Sequence, residues 1–392
     1  MSADGLTPHL RFPEFRDAGP WEVKRLDELV TTITPPKKLQ TTEYKQSGQF
    51  PIIDQSPKDI CGWTDDESAL VDADFPVVVF GDHSCVVKLV ESSFAQGADG
   101  IKILAPADDI DGWFLFLSLE ANPVGQKGYN RHFSDLKEKL ILFPLKASGE
   151  QQKIADCLSS LDDLIRTEGA RLGALKDHKR GLMQRLFPRP GETTPRLRFP
   201  GFRDAGPWEL KRLGDEEIAD FVRDRMAAED IPSGHYVSTI NLLSDFNGLA
   251  QKPETPPSGS AIAYRAGDIL MSNIRPYLRK IWVADRSGGA SNDVIVSRPG
   301  KTIVPPFLGH FLMSDRFISY IMDGAKGVKM PRGDLQQIQG FEVPLPSHQE
   351  QQKIADCLTA LDDLNRAQGE RIDALRAHKR GLMQQLFLLD LG

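Results

Sequence analysis

Two stretches of this chain are written twice, and that repetition limits what it can fold into. Residues 7–26 read TPHLRFPEFRDAGPWEVKRL and residues 194–213 read TPRLRFPGFRDAGPWELKRL, with 17 of the 20 positions matching. Residues 150–187 and 350–387 share 27 of 38 positions, and both open EQQKIADCL. Between these anchors the two copies differ almost completely. The offset grows from 187 to 200, so the second variable segment is longer by 13 residues. A period near 190 is too long for a solenoid and marks a duplicated domain. Residues 188–195, PRPGETTP, carry three prolines and a glycine and read as the linker between the copies. The expected organisation is a first domain with a variable segment over 1–147, a helix over 148–188, a second domain over 189–347 and a second helix over 348–392.

The repeated helices carry a heptad. Ile154, Leu158, Leu161, Ile165, Leu172, Leu175, Leu182 and Leu186, with Glu168 and Lys179, step alternately by four and three. Ile354, Leu358, Leu361, Ile372, Leu375, Leu382 and Leu386 repeat the seam, with Asn365, Gln368 and Lys379 as its polar members. The steps are palindromic about residues 170 and 370, which predicts antiparallel pairing about a pseudo-two-fold axis. A buried Asn365 suits register control. Cys157 and Leu164, echoed by Leu364, widen the apolar strip beyond the seam and predict docking of further helices. Gly169 and Gly369 near the midpoint are explained either by close helix approach or by a local break.

The variable segments read as small α/β domains. Strand-like bursts occur at 75–80, 101–104, 268–271, 280–283 and 294–296. Helices are predicted over 111–121 and 307–322. Three loops carry the residue types that meet DNA. Residues 125–132 hold Lys127, Tyr129, Asn130 and Arg131. Residues 324–332 hold Lys326, Lys329 and Arg332, and residues 273–280 hold Asn273, Arg275, Arg279 and Lys280. Glycines let backbone approach a phosphate, cations neutralise it, and an asparagine suits adenine. A single basic loop is ordinarily solvated surface. Here G-x-K-G recurs in both copies, each time followed seven residues later by Asp-Leu (Asp135, Leu136; Asp334, Leu335), and that recurrence favours a shared role in binding DNA.

Composition adds limits. The net charge of −7 argues mildly against nucleic acid, but the acid is concentrated in 59–74 and 215–230, leaving other segments basic. No run of 18 apolar residues predicts a membrane span, and the first ten residues lack a signal-peptide pattern, so a cytoplasmic location is expected. Cys61, Cys85, Cys157 and Cys357 show no CxxC spacing, which argues against zinc and disulfides. No GxxxxGK[ST] loop is present, and no Asn-Pro-Pro-aromatic tetrapeptide of the kind adenine methylation uses. Glu22 and Lys24, like Glu209 and Lys211, have the E-x-K shape of a nuclease, with Asp17 and Asp204 upstream. The better reading is a half-buried strand after Gly-Pro-Trp.

With these residues in view, the chain resembles the specificity subunits of type I restriction–modification enzymes over essentially its whole length. The resemblance rests on Gly19-Pro-Trp-Glu-Val-Lys-Arg-Leu26 and its copy from Gly206, on the twice-occurring EQQKIA after a proline-bearing strand, and on the endings KRGLMQRL and KRGLMQQL. One departure is at 143–149, where the first copy lacks the second proline found at Pro346. The resemblance implies two target-recognition domains, each reading one half of a split, asymmetric site in double-stranded DNA. It implies antiparallel helices that dock two modification subunits, with restriction subunits joining the complex. It places S-adenosylmethionine, ATP and Mg on those partners, with no cofactor or catalytic residue in this chain. Two other classes stay open on the residues alone: a coiled-coil scaffold without a DNA role, and a nuclease or methyltransferase with an unrecognised site.

Overall fold

A computed structural model describes residues 6–387 apart from Asp99, Tyr129, residues 251–254, Pro257, Lys326, Val328 and Lys329. The chain divides into two compact units, and the divisions fall inside the two long helices. Unit 1 runs through Gly169 and resumes at Glu370; unit 2 is Ala170–Gly369.

Unit 1 contains strands β1 (Glu22–Arg25), β2 (Val30–Ile33), β3 (Phe50–Ile53), β4 (Gly62–Thr64), β5 (Val77–Gly81), β6 (Val87–Val90), β7 (Ala95–Gln96), β8 (Ile101–Pro106) and β9 (Leu140–Phe143). Its helices are α1 (Leu26–Leu29), α2 (Gly112–Ala121), α3 (Phe133–Glu138) and the first half of α4 (Glu150–Leu186). An antiparallel sheet in the order β2-β8-β5-β6 lies beside a small sheet β4-β3-β7 and the ribbon β1-β9.

Unit 2 contains β10 (Glu209–Arg212), β11 (Ala219–Phe221), β12 (Arg225–Ala227), β13 (Tyr236–Val237), β14 (Ser260–Tyr264), β15 (Ile269–Ser272), β16 (Ile281–Val283), β17 (Gly288–Ala290), β18 (Val294–Pro299) and β19 (Glu342–Leu345). Helices α5 (Pro305–Leu312), α6 (Asp315–Asp323) and α7 (Leu335–Gln339) precede α8 (His348–Leu386). The main sheet, β11-β18-β15-β16, and the ribbon, β10-β19, repeat those of unit 1. Both small sheets contain a parallel pair, β3 with β7 and β13 with β17. They differ in their remaining strands: β4 adds to β3, whereas β14 and β12 add on the side of β17.

The repeated motifs build the same frame twice. Trp21 and Trp208, both buried, pack edge-on against Phe114 and Phe307 at 5.8 and 6.2 Å. The glutamate of each EQQ motif receives a buried bidentate arginine: Arg11 on Glu150 at 2.7 and 2.6 Å, Arg198 on Glu350 at 2.8 and 2.6 Å. The next residue, Gln151 or Gln351, accepts the N–H at the start of α2 (Asp111, 2.7 Å) or α5 (Val304, 2.8 Å). Its amide donates to Pro144 or Pro346 at the exit of the ribbon. The motif therefore fastens three elements at one point, which explains its repetition.

The seam holds as read. In unit 1, Ile154 and Leu158 lie in one core with Met383, Leu386 and Phe387. In unit 2, Ile354 and Leu358 lie in one core with Leu186 and Phe187. Inside each unit the helix segments run antiparallel: Asp162 meets Lys379 and Glu168 meets Arg371 in unit 1, and Lys179 meets Asp362 in unit 2. Leu161 and Leu361 are partly buried against these cores, while Leu164 and Leu364 are exposed. The Asn365 Oδ1 is buried and has no hydrogen-bond partner among the described residues.

Three readings are corrected. The helix expected over 307–322 is two helices, because Ser314 caps a second start by accepting the Phe317 N–H. The strands at Glu22 and Glu209 form, but they are mostly exposed rather than half-buried. Lys24 pairs with Asp109, and Lys211 with Glu217 and Glu209. Both long helices pass unbroken through Gly169 and Gly369, and a Cβ at either would meet nothing within 4 Å, so neither a break nor a close approach accounts for these glycines. The departure at 143–149 adds a 3-10 turn, Lys146–Ser148, and a left-handed Gly149 before α4; α8 begins without one.

Candidate nucleic-acid interface

Each unit brings three loops together around the connection between the third and fourth strands of its main sheet. In unit 1 the centre is the β5–β6 turn. Buried Asp82 accepts from the backbone N–H groups of His132 and Phe133 at 3.0 and 2.9 Å. Buried His132 has its Nε2 2.9 Å from the Lys127 N–H, which can only donate, so Nε2 accepts and Nδ1 carries the proton toward the Asp82 carbonyl at 3.2 Å. His83 adds contacts to Asn130 and Gln126. Gln126, Lys127, Asn130 and His132 are thereby fixed to the turn. On the other side the Ser84 hydroxyl donates to the Gln55 carbonyl at 2.7 Å, and the Lys88 ammonium donates to the carbonyls of Asp54 and Lys58 at 2.8 and 2.5 Å. The loop after β3 thus joins the cluster.

Unit 2 repeats the arrangement with different residues. The β15–β16 connection holds Arg275 and Arg279, both with left-handed backbone (φ 53° and 58°), on either side of a 3-10 turn. For non-glycine residues this conformation costs roughly 1 kcal/mol or more each and persists only where surroundings enforce it. Hydrogen bonds supply those surroundings. Arg275 donates its N–H to the Pro331 carbonyl at 2.8 Å, Gly333 to Asn273 at 3.1 Å, and Asp245 and Phe246 to Leu278 and Arg279 at 3.0 and 2.9 Å. The loop after β13 is held by the Lys280 ammonium, which donates to the Thr239 carbonyl at 2.6 Å.

The structure separates the sequence-predicted residues into two groups. Lys127, Asn130, Arg131, Arg275 and Arg332 are exposed at the surface of these clusters. Lys127 is 3.2 Å from Asp135 and Arg332 is 3.0 Å from Asp293, both at exposed positions where water competes. Arg279 and Lys280 are turned inward instead. The Arg279 guanidinium pairs with Asp315 at 2.6 Å and lies over the Phe246 ring, and burial pulls the Lys280 pKa down. Both brace the loop. Asn273 keeps a buried Oδ1 without a hydrogen-bond partner among the described residues. Tyr129, Lys326 and Lys329 lie outside the described residues.

Sequence reasoning missed the anchors His132, Asp82, Lys88 and Asn241, and it missed the loops after β3 and β13 altogether. No local pattern announces them: Asp82 and Lys88 meet partners brought by distant segments, and Asn241 ties only its own loop. Among the described residues no group of three His, Cys, Asp or Glu side chains is placed to hold a metal ion, and no helix is long and apolar enough to cross a membrane.

One frame, built twice, that presents two unlike loop clusters and two long helices defines a protein of two paired α/β domains. Residues 242–377 match the family model described as the type I restriction modification DNA specificity domain. The chain is 21% identical to the type I restriction enzyme MjaVIII specificity subunit of Methanocaldococcus jannaschii, over 96% of this chain and 93% of that protein. It is 22% identical to the EcoDI specificity subunit of Escherichia coli, over 85% and 79%. In fold it is similar to the crystal structure of a type I S subunit from M. genitalium, with a TM-score of 0.61 and 18% identity over 99% of this chain and 100% of that one. A chain from a solved structure concerned with assembly of the type I R-M system gives 0.53 at 17% identity, over 95% and 98%. The chain is thus similar over nearly its whole length to type I restriction–modification specificity subunits, and its residues 242–377 match their DNA specificity domain.

Proposed function

We propose that this chain reads a bipartite, asymmetric sequence in double-stranded DNA for a larger restriction–modification complex and performs no chemistry itself. The observation that carries the reading is the repetition of one three-loop cluster on one frame with different exposed side chains: Lys127, Asn130 and Arg131 in unit 1, Arg275 and Arg332 in unit 2. A constant frame with unlike contact residues serves two unlike half-sites. Exposed cations of this kind position the duplex through phosphates, and neighbouring side chains read base edges.

The helices supply the other surface. The seam buries Ile154, Leu158, Ile354 and Leu358, whereas Leu164 and Leu364 face outward. We assign these outward leucines, with the partly exposed Cys157 and Cys357, to docking of two modification subunits, which carry S-adenosylmethionine, and through them of restriction subunits. The work takes place in the cytoplasm, where such complexes meet DNA.

The test exchanges residues 214–347 for the corresponding segment of another specificity subunit and maps methylated adenines in cells carrying the hybrid complex. The expected result is a motif changed in one half and unchanged in the other. An unaltered motif would overturn the reading. Sequence-selective DNA binding by the complex separates it from a scaffold, and methylation or cleavage by the isolated chain would overturn the non-catalytic role.

A further inference from the structure

The loop after β3 and the loop after β13 occupy the same place in the two units. In each, the strand before it pairs in parallel with a short partner, Ile53 with Gln96 and Val237 with Ala290. In each, a lysine at or beside the fourth strand of the main sheet sends its ammonium into the loop's carbonyls, Lys88 to Asp54 and Lys58, Lys280 to Thr239. In each, one side chain ties the loop internally. Asp54 accepts from the Ser56 N–H and the Cys61 thiol, both at 2.8 Å. Asn241 accepts from the Ser238 N–H at 2.7 Å and donates to the Tyr236 carbonyl at 2.9 Å.

Each of these stiff loops displays an isoleucine to solvent: Ile60 is 42% exposed and Ile240 is 78% exposed. A lone exposed apolar residue is ordinary. The same residue type, raised on the same braced loop in two units whose sequences otherwise diverge, is not. In unit 2 the loop lies against the turn that carries exposed Arg275, and in unit 1 exposed Lys58 adjoins Ile60 on the loop itself. Exposed Tyr277 stands on the same turn as Arg275. An apolar tip surrounded by cations matches a duplex groove, where phosphates flank the apolar methyl of thymine. β-Branched isoleucine on a fixed backbone has little freedom left to lose on contact.

We infer that Ile240 and Ile60 are specificity-determining residues that each pack on a thymine 5-methyl group, one in each half-site. This rests on the DNA-reading function proposed above.

The experiment uses the full chain assembled with its modification subunits and duplexes carrying the mapped motif, with each thymine replaced in turn by deoxyuridine, which lacks only the methyl. For the wild type, one uracil in each half-site should weaken binding about fourfold, the worth of one buried methyl-sized group. Ile240→Ala should weaken binding to the natural duplex about tenfold and show no further loss at the sensitive uracil of one half-site; Ile60→Ala should do the same in the other. Their salt dependence should match the wild type, whereas Arg275→Ala should lower the slope by about one. A uracil penalty that persists in the alanine variants, half-sites without a sensitive thymine, or loss of modification-subunit assembly in Ile240→Ala would each overturn the inference and leave the DNA-reading function standing. A wild-type complex without sequence-selective binding would overturn that function, and the inference with it.

Discussion

The Lys379 ammonium, on the last turns of α8, lies 2.8 Å from the Asp162 carboxylate on α4, and the copy of this relationship joins Lys179 to Asp362 in unit 2. In unit 1, Glu120 of α2 also reaches Lys379, at 3.1 Å. One cation thus ties both seam helices to the body of the unit. Burial pulls the Lys379 pKa down, and the hydrogen bond to Asp162 with the charge of Glu120 more than reverses this, leaving it above the ordinary 10.5.

Lys379→Met should therefore lower stability by about 1–2 kcal/mol, discounted for the partly exposed carboxylates. A lysine raised in the folded state contributes fully below its unfolded pKa and loses that contribution as pH rises through the folded one. Denaturant melts should show a constant difference between wild type and variant from about pH 7 to 9, shrinking only above the ordinary lysine range. A difference that collapsed at neutral pH would contradict the assignment.

His310 has the opposite sign. It is buried beside Thr359 at 3.1 Å and Asp362 at 3.6 Å, and burial, aided by the charge of Lys179, pushes its pKa down to about 3. Below the ordinary 6.5 the unfolded chain binds a proton that the folded chain refuses. Stability should fall as pH drops through that window, by roughly 2 kcal/mol at about pH 5. The corresponding position of unit 1 is the buried Leu117. His310→Leu should flatten the acid limb of the stability profile, and an unchanged limb would place the acid sensitivity elsewhere.

Gly169→Ala and Gly369→Ala should each stabilise the protein by about 1 kcal/mol, since both sit in unbroken helix and an added methyl meets nothing within 4 Å. Thermal melts of the two variants check this. A lower melting temperature would show that the helix midpoints need glycine for a reason other than space.

Glu150→Gln should cost about 3 kcal/mol, because it strands the buried Arg11 guanidinium, and Glu350→Gln should do the same to Arg198. Adding Arg11→Met to Glu150→Gln should restore part of the loss. A double-mutant cycle without coupling would remove these pairs from the frame's stability.

Much of this protein was legible as sequence. The duplication, the seam from Ile154 to Leu186, its palindrome, and most strands follow from periodicity and propensity, which act over a few neighbours and leave their mark in the chain itself. The seam's burial follows from its spacing: its positions alternate by four and three along the whole helix, the interval that faces a partner helix. The loops divided differently. Gly125–His132 and Asn273–Lys280 announced themselves by charge, but charge does not say which way a side chain turns. Arg275 and Arg279 lie four residues apart with the same backbone conformation, yet one is exposed and the other is held by Asp315 and Phe246, residues that α6 and the loop after β13 deliver. In the same way, Glu150 showed itself as a repeated letter, while its partner Arg11, 139 residues away, was supplied only by the fold. Local patterns fix elements because their energetics are local. The anchoring of the loops and the display of Ile60 and Ile240 depend on hydrogen bonds between distant strands, which exist only once the sheets have assembled.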